Sequence, residues 1–255
     1  MSSRTRIPLL VAVLAVAVGF LAISQTYETG EDVIDELRAN AQRIEDLDAV
    51  VVVQTYDEGE VSLTQRLRLT VLQPDHMRQE YLEPDYLAAN LTLITGATMW
   101  IYIAAADTWF EKDLSELSAA EQPWLVFRQF LRGVEDEFED YEFELLTSED
   151  ETLHLSGTPT NEDAAYGEVE LWIDPETFVP ARRRLFDVEG NLLVDLHILE
   201  VEQVGENTYV ARAMETYDEN GELASVIRYE ELTVDSGLDP ALFEKPEASD
   251  EASDG

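Results

Sequence analysis

The chain is 255 residues long and carries 55 Asp+Glu against 16 Lys+Arg, a formal net charge of −39, with no cysteine at all. Charge of that sign repels phosphate and excludes a sequence-independent nucleic-acid binder. The missing thiols exclude disulfides, thiolate catalysis, iron–sulfur clusters, cysteine zinc sites and a lipid-modified cysteine, so any membrane tether must be peptide. With 45% of residues hydrophobic the chain can still bury a core. Among the basic residues only Lys112 and Lys245 are lysine. Self-repulsion at this charge is costly in dilute buffer, but at molar salt the screening length falls to roughly 3 Å and most of the cost goes. We therefore expect a salt-adapted protein, the alternative being an acidic protein from ordinary salt.

Arg4 and Arg6 precede an uncharged apolar run over residues 7–23, followed by Ser24-Gln25-Thr26. The run is short for a spanning helix and long for a signal-peptide core, and Ala22-Ile23-Ser24 fits a small-x-small cleavage site. Residues 1–30 are expected to be a signal peptide cleaved near Ser24 or an N-terminal membrane anchor. Either way the flanking arginines keep the start of the chain cytoplasmic and send the rest outside. Asn90-Leu91-Thr92 is a glycosylation sequon in keeping with that placement.

From residue 31 to 47 the spacing of Val33, Ile34, Leu37, Ala41, Ile44 and Leu47 predicts an amphipathic helix, with Glu31 and Asp32 at its start. The period then switches to two. Val50 to Val53 opens a β run, and Val61, Leu63, Leu67, Leu69 and Val71 alternate with polar residues. Further strands are predicted over 76–82, 90–95, 98–103, 107–112, 139–146, 150–156, 167–174, 178–188, 191–203, 207–217 and 222–232. Turn signals separate them, Asn220-Gly221 being the strongest. Pro123 to Leu131, which includes Trp124, Phe127 and Phe130, reads as a short helix that is apolar nearly all round. No βαβ alternation is present. The expected fold class is mostly β with flanking helices (α+β): an incomplete antiparallel barrel of about 11–12 strands, its concave face covered by the two helices. The acidic stretch 244–255 is expected to be a disordered tail.

Motifs for hydrolytic, nucleotide-binding or metalloprotease chemistry are absent, and His76, His154 and His197 sit on three different predicted strands. Acids are so abundant that carboxylate pairs diagnose nothing. We expect no catalytic residues, no cofactor and no metal. The arginines cluster more tellingly. Arg66 and Arg68 share a strand face, as do Arg182 and Arg184, and each pair either serves neighbouring carboxylates or contacts an anionic headgroup or a partner at a cavity mouth.

Several strings in order resemble the LolA-like superfamily of lipoprotein carriers, which includes LolB-like and RseB-like domains. They are Gln54-Thr55-Tyr56 at the end of the first strand, Pro74 to Pro84 with its basic and aromatic residues, Gly96-Ala97-Thr98-Met99-Trp100-Ile101-Tyr102, and the Asp174-Pro175-Glu176-Thr177-Phe178-Val179-Pro180 hairpin leading into Arg182. Thr95 and Ile103 depart from the family pattern, and no lid-locking arginine can be carried over. The resemblance covers roughly residues 31–245 and implies a half-barrel domain over 31–243 whose apolar cavity takes acyl chains, in a haloarchaeal member by its acid excess. Leu67, Leu69, Trp100, Tyr102, Trp124, Phe127 and Phe130 are the candidate cavity residues. The implied function is an exported lipid- or lipoprotein-binding carrier. The alternatives are an envelope-stress sensor of RseB-like type with a membrane-protein partner, and a ligand-free surface protein.

Overall fold

The computed structural model describes residues 27–114, 140–147, 152–161, 164 and 166–246. The predicted membrane segment 7–23, the apolar helix 123–131 and the end of the acidic tail lie outside them. Among the described residues no helix is long and apolar enough to cross a membrane.

One α-helix opens the described chain, α1 (Gly30–Ala41). Its start is fixed by a capping box. Thr29 Oγ1 accepts from the Asp32 backbone N–H at 3.2 Å while Asp32 Oδ2 accepts from the Thr29 N–H at 3.1 Å. Glu31 and Asp32 in the first turn and Arg38 in the last suit the helix dipole. The helix ends at Ala41, six residues earlier than its apolar spacing predicts. Leu47 belongs instead to the first strand, where pairing with neighbours on both sides outweighs the weaker helical preference.

Thirteen strands follow: β1 (Asp46–Asp57), β2 (Glu60–Leu72), β3 (His76–Glu83), β4 (Leu91–Thr95), β5 (Thr98–Ile103), β6 (Thr108–Asp113), β7 (Tyr141–Thr147), β8 (Leu153–Pro159), β9 (Glu168–Ile173), β10 (Pro180–Phe186), β11 (Leu192–Gly205), β12 (Thr208–Tyr217) and β13 (Leu223–Val234). Among the described residues they number thirteen against the expected 11–12, one for each β segment read along the sequence. β1 and β2 are joined by the tight Glu58-Gly59 turn, in which both residues have positive φ. All the strands form one antiparallel sheet in the order β6-β5-β4-β3-β2-β1-β13-β12-β11-β10-β9-β8-β7, with β6 and β7 as its two open edges.

Directly opposed residues share a face, so register traces a continuous inner surface. It runs through Met99, Ile94, Met77, Val71 and Leu47 on one side of the sheet. On the other side it passes through Val51, Tyr229 and Ile227, then Met214, Ile198, Leu196, Arg183, Leu171 and Leu155. Two apolar cores sit on this surface. One gathers Leu47, Val51, Leu67, Leu69, Val71, Met214 and Tyr229. The other packs Val33, Ile34 and Leu37 of α1 against Phe143, Leu155, Val169, Leu171 and Leu185. Gly30 allows the helix to dock there, because a Cβ at that position would collide with the Phe143 carbonyl.

On the outer face the segment after β13 is clipped down by Asp46. Its carboxylate accepts from the backbone N–H groups of Ser236, Gly237 and Leu238 and from the Ser236 hydroxyl. Burial alone would raise the pKa of Asp46, but these four donors outweigh it and hold the group below the usual range. Farther along, Phe243 is fully buried, with its ring 5.6 Å from that of His76.

Candidate functional site

The described residues do not fill the inner surface throughout. Where α1 ends, a cavity of about 160 Å³ remains, lined by Leu37, Asn40 and Ile44 from the helix and its exit, by Leu47 and Val71, and by Arg183, Leu196, Ile198, Ala211, Tyr229 and Leu232 from the far side of the sheet. That is an order of magnitude above the ~10–15 Å³ needed to place one water centre. Val71 on β2 and Arg183 on β10 are five strands apart in the sheet and would be ~24 Å apart were it flat. Their meeting at one cavity shows that the sheet curls.

The wall is mostly aliphatic with a few polar groups. Asp46 is saturated by the four donors described above, and Gln73 donates to the Ala41 carbonyl at 3.2 Å. Tyr229 is 5% exposed, and burial pushes its phenol well above the ordinary value, so it stays neutral. Asn40 is 9% exposed, and its Oδ1 has no hydrogen-bond partner. This is an apolar container with isolated polar points.

The predicted cavity residues fall in three places. Leu67 and Leu69 lie on the inner face in the core beside the cavity, 1% and 0% exposed, but do not line it. Trp100 and Tyr102 point the other way, a correction to their predicted role. Their neighbours Met99 and Ile101 join the inner core, whereas Trp100 Nε1 donates to Glu111 at 3.3 Å and the Tyr102 hydroxyl donates to Asp107 at 2.8 Å. Strand alternation dictates this, since adjacent residues take opposite faces. Trp124, Phe127 and Phe130 lie outside the described residues.

None of the four candidate headgroup or partner arginines lines the cavity, because all of them lie on the outer face. Arg66 pairs with Glu230 at 3.0 Å, and Arg68 binds Asp48 through both Nε and Nη2. Arg68 and Asp48 also border a more open space of about 630 Å³ beneath the segment after β13, whose lining mixes paired charges with Leu238, Ala241 and Leu242. Arg182 and Arg184 converge on Asp195, at 2.8 Å and 3.2 Å from their Nε atoms. Although burial raises its pKa, those hydrogen bonds and the positive charges around it bring the Asp195 carboxyl down to about 2. Trp172 stacks on His154 at 4.3 Å and receives both guanidinium groups over its ring. The arginines thus serve neighbouring carboxylates and an aromatic ring. The sequon residue Asn90 is half-buried, its Oδ1 accepting from the Ala104 N–H at 2.9 Å. Among the described residues no group of side chains could hold a metal ion.

A family model described as "Uncharacterized protein" matches residues 80–247. The chain belongs to that family. No curated protein matches it. Several solved structures share the architecture of this chain. A DUF1329 family protein from Desulfovibrio piger superposes with a TM-score of 0.70 at 18% identity, covering 84% of this chain and 95% of that one. A proposed outer membrane lipoprotein-sorting protein domain from Vibrio parahaemolyticus gives 0.65 at 17% identity, covering 83% and 94%. A LolA superfamily protein from Nitrosomonas europaea gives 0.63 at 18% identity, covering 86% and 99%. At these identities the likeness is one of fold, and the fold is LolA-like.

Sequence reading missed the residues that line the cavity. Leu196, Ile198 and Leu232 alternate like any strand residues and carry no signal that distinguishes them. Asn40 does carry one, because Val33, Leu37 and Asn40 follow the i, i+4, i+7 spacing of one helix face. A polar residue there interrupts an apolar stripe.

Proposed function

We propose that this chain is an exported, non-enzymatic carrier domain that holds an acyl chain of a lipid or lipoprotein in the inner-face cavity. The observation that carries this reading is the apolar, unfilled space where α1 runs out between the two walls of the curled sheet. Apolar surface withdrawn from water there stabilises a bound chain by about 25 cal/mol per Å². The LolA-like fold supports the same reading, as does the lipoprotein-sorting description of one structural relative. Residues 7–23 would tether the domain to the membrane or be removed near Ser24, leaving the sheet outside the cell.

Native mass spectrometry of protein purified in high salt tests this directly. Co-purifying lipid, or uptake of a fluorescent acyl probe with an uncharged head, is expected. Protein that arrives empty, takes up no such probe and cross-links to a membrane protein would instead favour the sensor reading.

The acid excess is read as salt adaptation, with a haloarchaeal source to match. The melting temperature should therefore fall steeply as KCl is lowered from molar to about 0.1 M, where the screening length lengthens from ~3 to ~10 Å. A melting temperature that does not move with KCl would contradict salt adaptation.

A further inference from the structure

Asn40 is the point at which the cavity departs from a purely apolar container. It sits on the buried stripe of α1 and is 9% exposed, and its Oδ1 is buried without a hydrogen-bond partner. It also lines the cavity alongside Leu37, Leu47, Val71 and Leu196. Leaving a buried acceptor unsatisfied costs about 1–3 kcal/mol, and an apolar residue would continue the stripe without that cost. A local rule broken at a cavity wall, with no compensating contact in the protein, is the mark of a group reserved for a ligand.

We propose that Asn40 selects the class of occupant: an uncharged amphiphile whose hydroxyl or amide N–H donates to Asn40 Oδ1 while its hydrocarbon lies against the aliphatic wall. This rests on the carrier reading and narrows it. An ionised carboxylate has no donor and would set acceptor against acceptor. An ammonium head would have to shed its water among leucines, which costs several kcal/mol. Arg183 also lines the cavity, so an anionic head held by that guanidinium is the competing arrangement to be tested.

The test uses three probes of similar size: n-octanol, its isomer heptyl methyl ether, and octanoate. The ether has the same atoms as the alcohol but no O–H. Dissociation constants are measured by titration calorimetry on the whole protein in high salt, for the natural chain and for Asn40→Leu. The ratio of ether to alcohol dissociation constants should be roughly tenfold higher for the natural chain than for Asn40→Leu, the worth of one satisfied buried acceptor. Comparing ratios removes the different hydration of the two probes. Octanoate should bind more weakly than octanol.

Asn40→Leu is expected to melt no lower than the natural chain, since no side-chain hydrogen bond to Oδ1 is lost. Should it fail to fold, Asn40→Ala serves in the same comparison. An unchanged ratio on substitution, with both neutral probes still binding, would overturn the role of Asn40 while leaving the carrier reading intact. Tighter binding of octanoate than of octanol would overturn it in favour of an anionic occupant. Binding of none of the three would overturn both.

Discussion

Beneath α1 the inner face of β7–β10 is closed by Val33, Ile34 and Leu37, each at most 4% exposed, whereas at the end of the helix the walls of β1, β2 and β10–β13 face a cavity of about 160 Å³. The same curled sheet supplies both floors, and both are lined by alternating aliphatic residues. What differs is the length of helix available to fill them. A twelve-residue α1 covers one half of the surface and stops at Ala41, and among the described residues the space begins where that capped helix ends. A container can therefore arise in a well-packed protein without any unusual residue on its strands.

The two halves should respond differently to the same truncation. Leu155→Ala, in the filled half at 0% exposure, is expected to cost about 3–5 kcal/mol because it opens a new hole in close packing. Leu196→Ala, at the wall of the existing cavity, should cost about 2 kcal/mol, since its side chain already lacks partners on one side. Equal losses in denaturant titrations would mean that the two halves are packed alike. Gly30→Ala should come next, at about 1–3 kcal/mol, because the added methyl collides with the Phe143 carbonyl and lifts α1 from β7. That variant also sharpens the comparison: displacing the helix should alter ligand uptake at its far end, and unaltered uptake would separate the cavity from the helix.

The smallest effect belongs to the outer face, which should leave the inner comparison untouched. Asp195 is held ionised by Arg182 and Arg184, with its pKa lowered from 3.8 to about 2. A depressed carboxyl contributes stability that is complete above its unfolded value and is lost as pH falls through the folded one. Stability should therefore decline between about pH 3.8 and pH 2 through this group. Asp195→Asn should remove that share of the decline and lower stability modestly at neutral pH, where two guanidinium groups lose their partner. Ligand binding at neutral pH should stay as it was; a change would tie the outer cluster to the cavity.

Much of the fold was legible in the sequence, for reasons that particular residues make plain. Alternation along Val61 to Val71 marked β2, and Asn220-Gly221 marked a hairpin, because period two and positive φ are local requirements. Glu31 and Asp32, followed by Val33, Ile34 and Leu37, marked the start of α1 in the same way. Its end was illegible: Ile44 and Leu47 continue the helical spacing, and only the pairing of β1 with both β2 and β13 removes them from the helix. The site was harder still. Trp100 and Tyr102 are large and share a face, but which face is inner is decided by Met99 and Ile101 packing into the core, a tertiary fact. The arginines at 66, 68, 182 and 184 were legible as pairs, and either fate remained open until Glu230, Asp48 and Asp195 were found beside them.

Filling the cavity from within tests the central claim most directly. Ala211 lines it and is partly buried. A phenylalanine there should occupy the space that a ligand would take, at little cost to folding because the ring enters a void. Octanol uptake by Ala211→Phe, measured beside the natural protein in the same high-salt buffer, is expected to fall at least roughly tenfold while the melting temperature is kept or raised. Undiminished uptake by a folded Ala211→Phe would show that the occupant sits elsewhere and that this cavity is not the binding site.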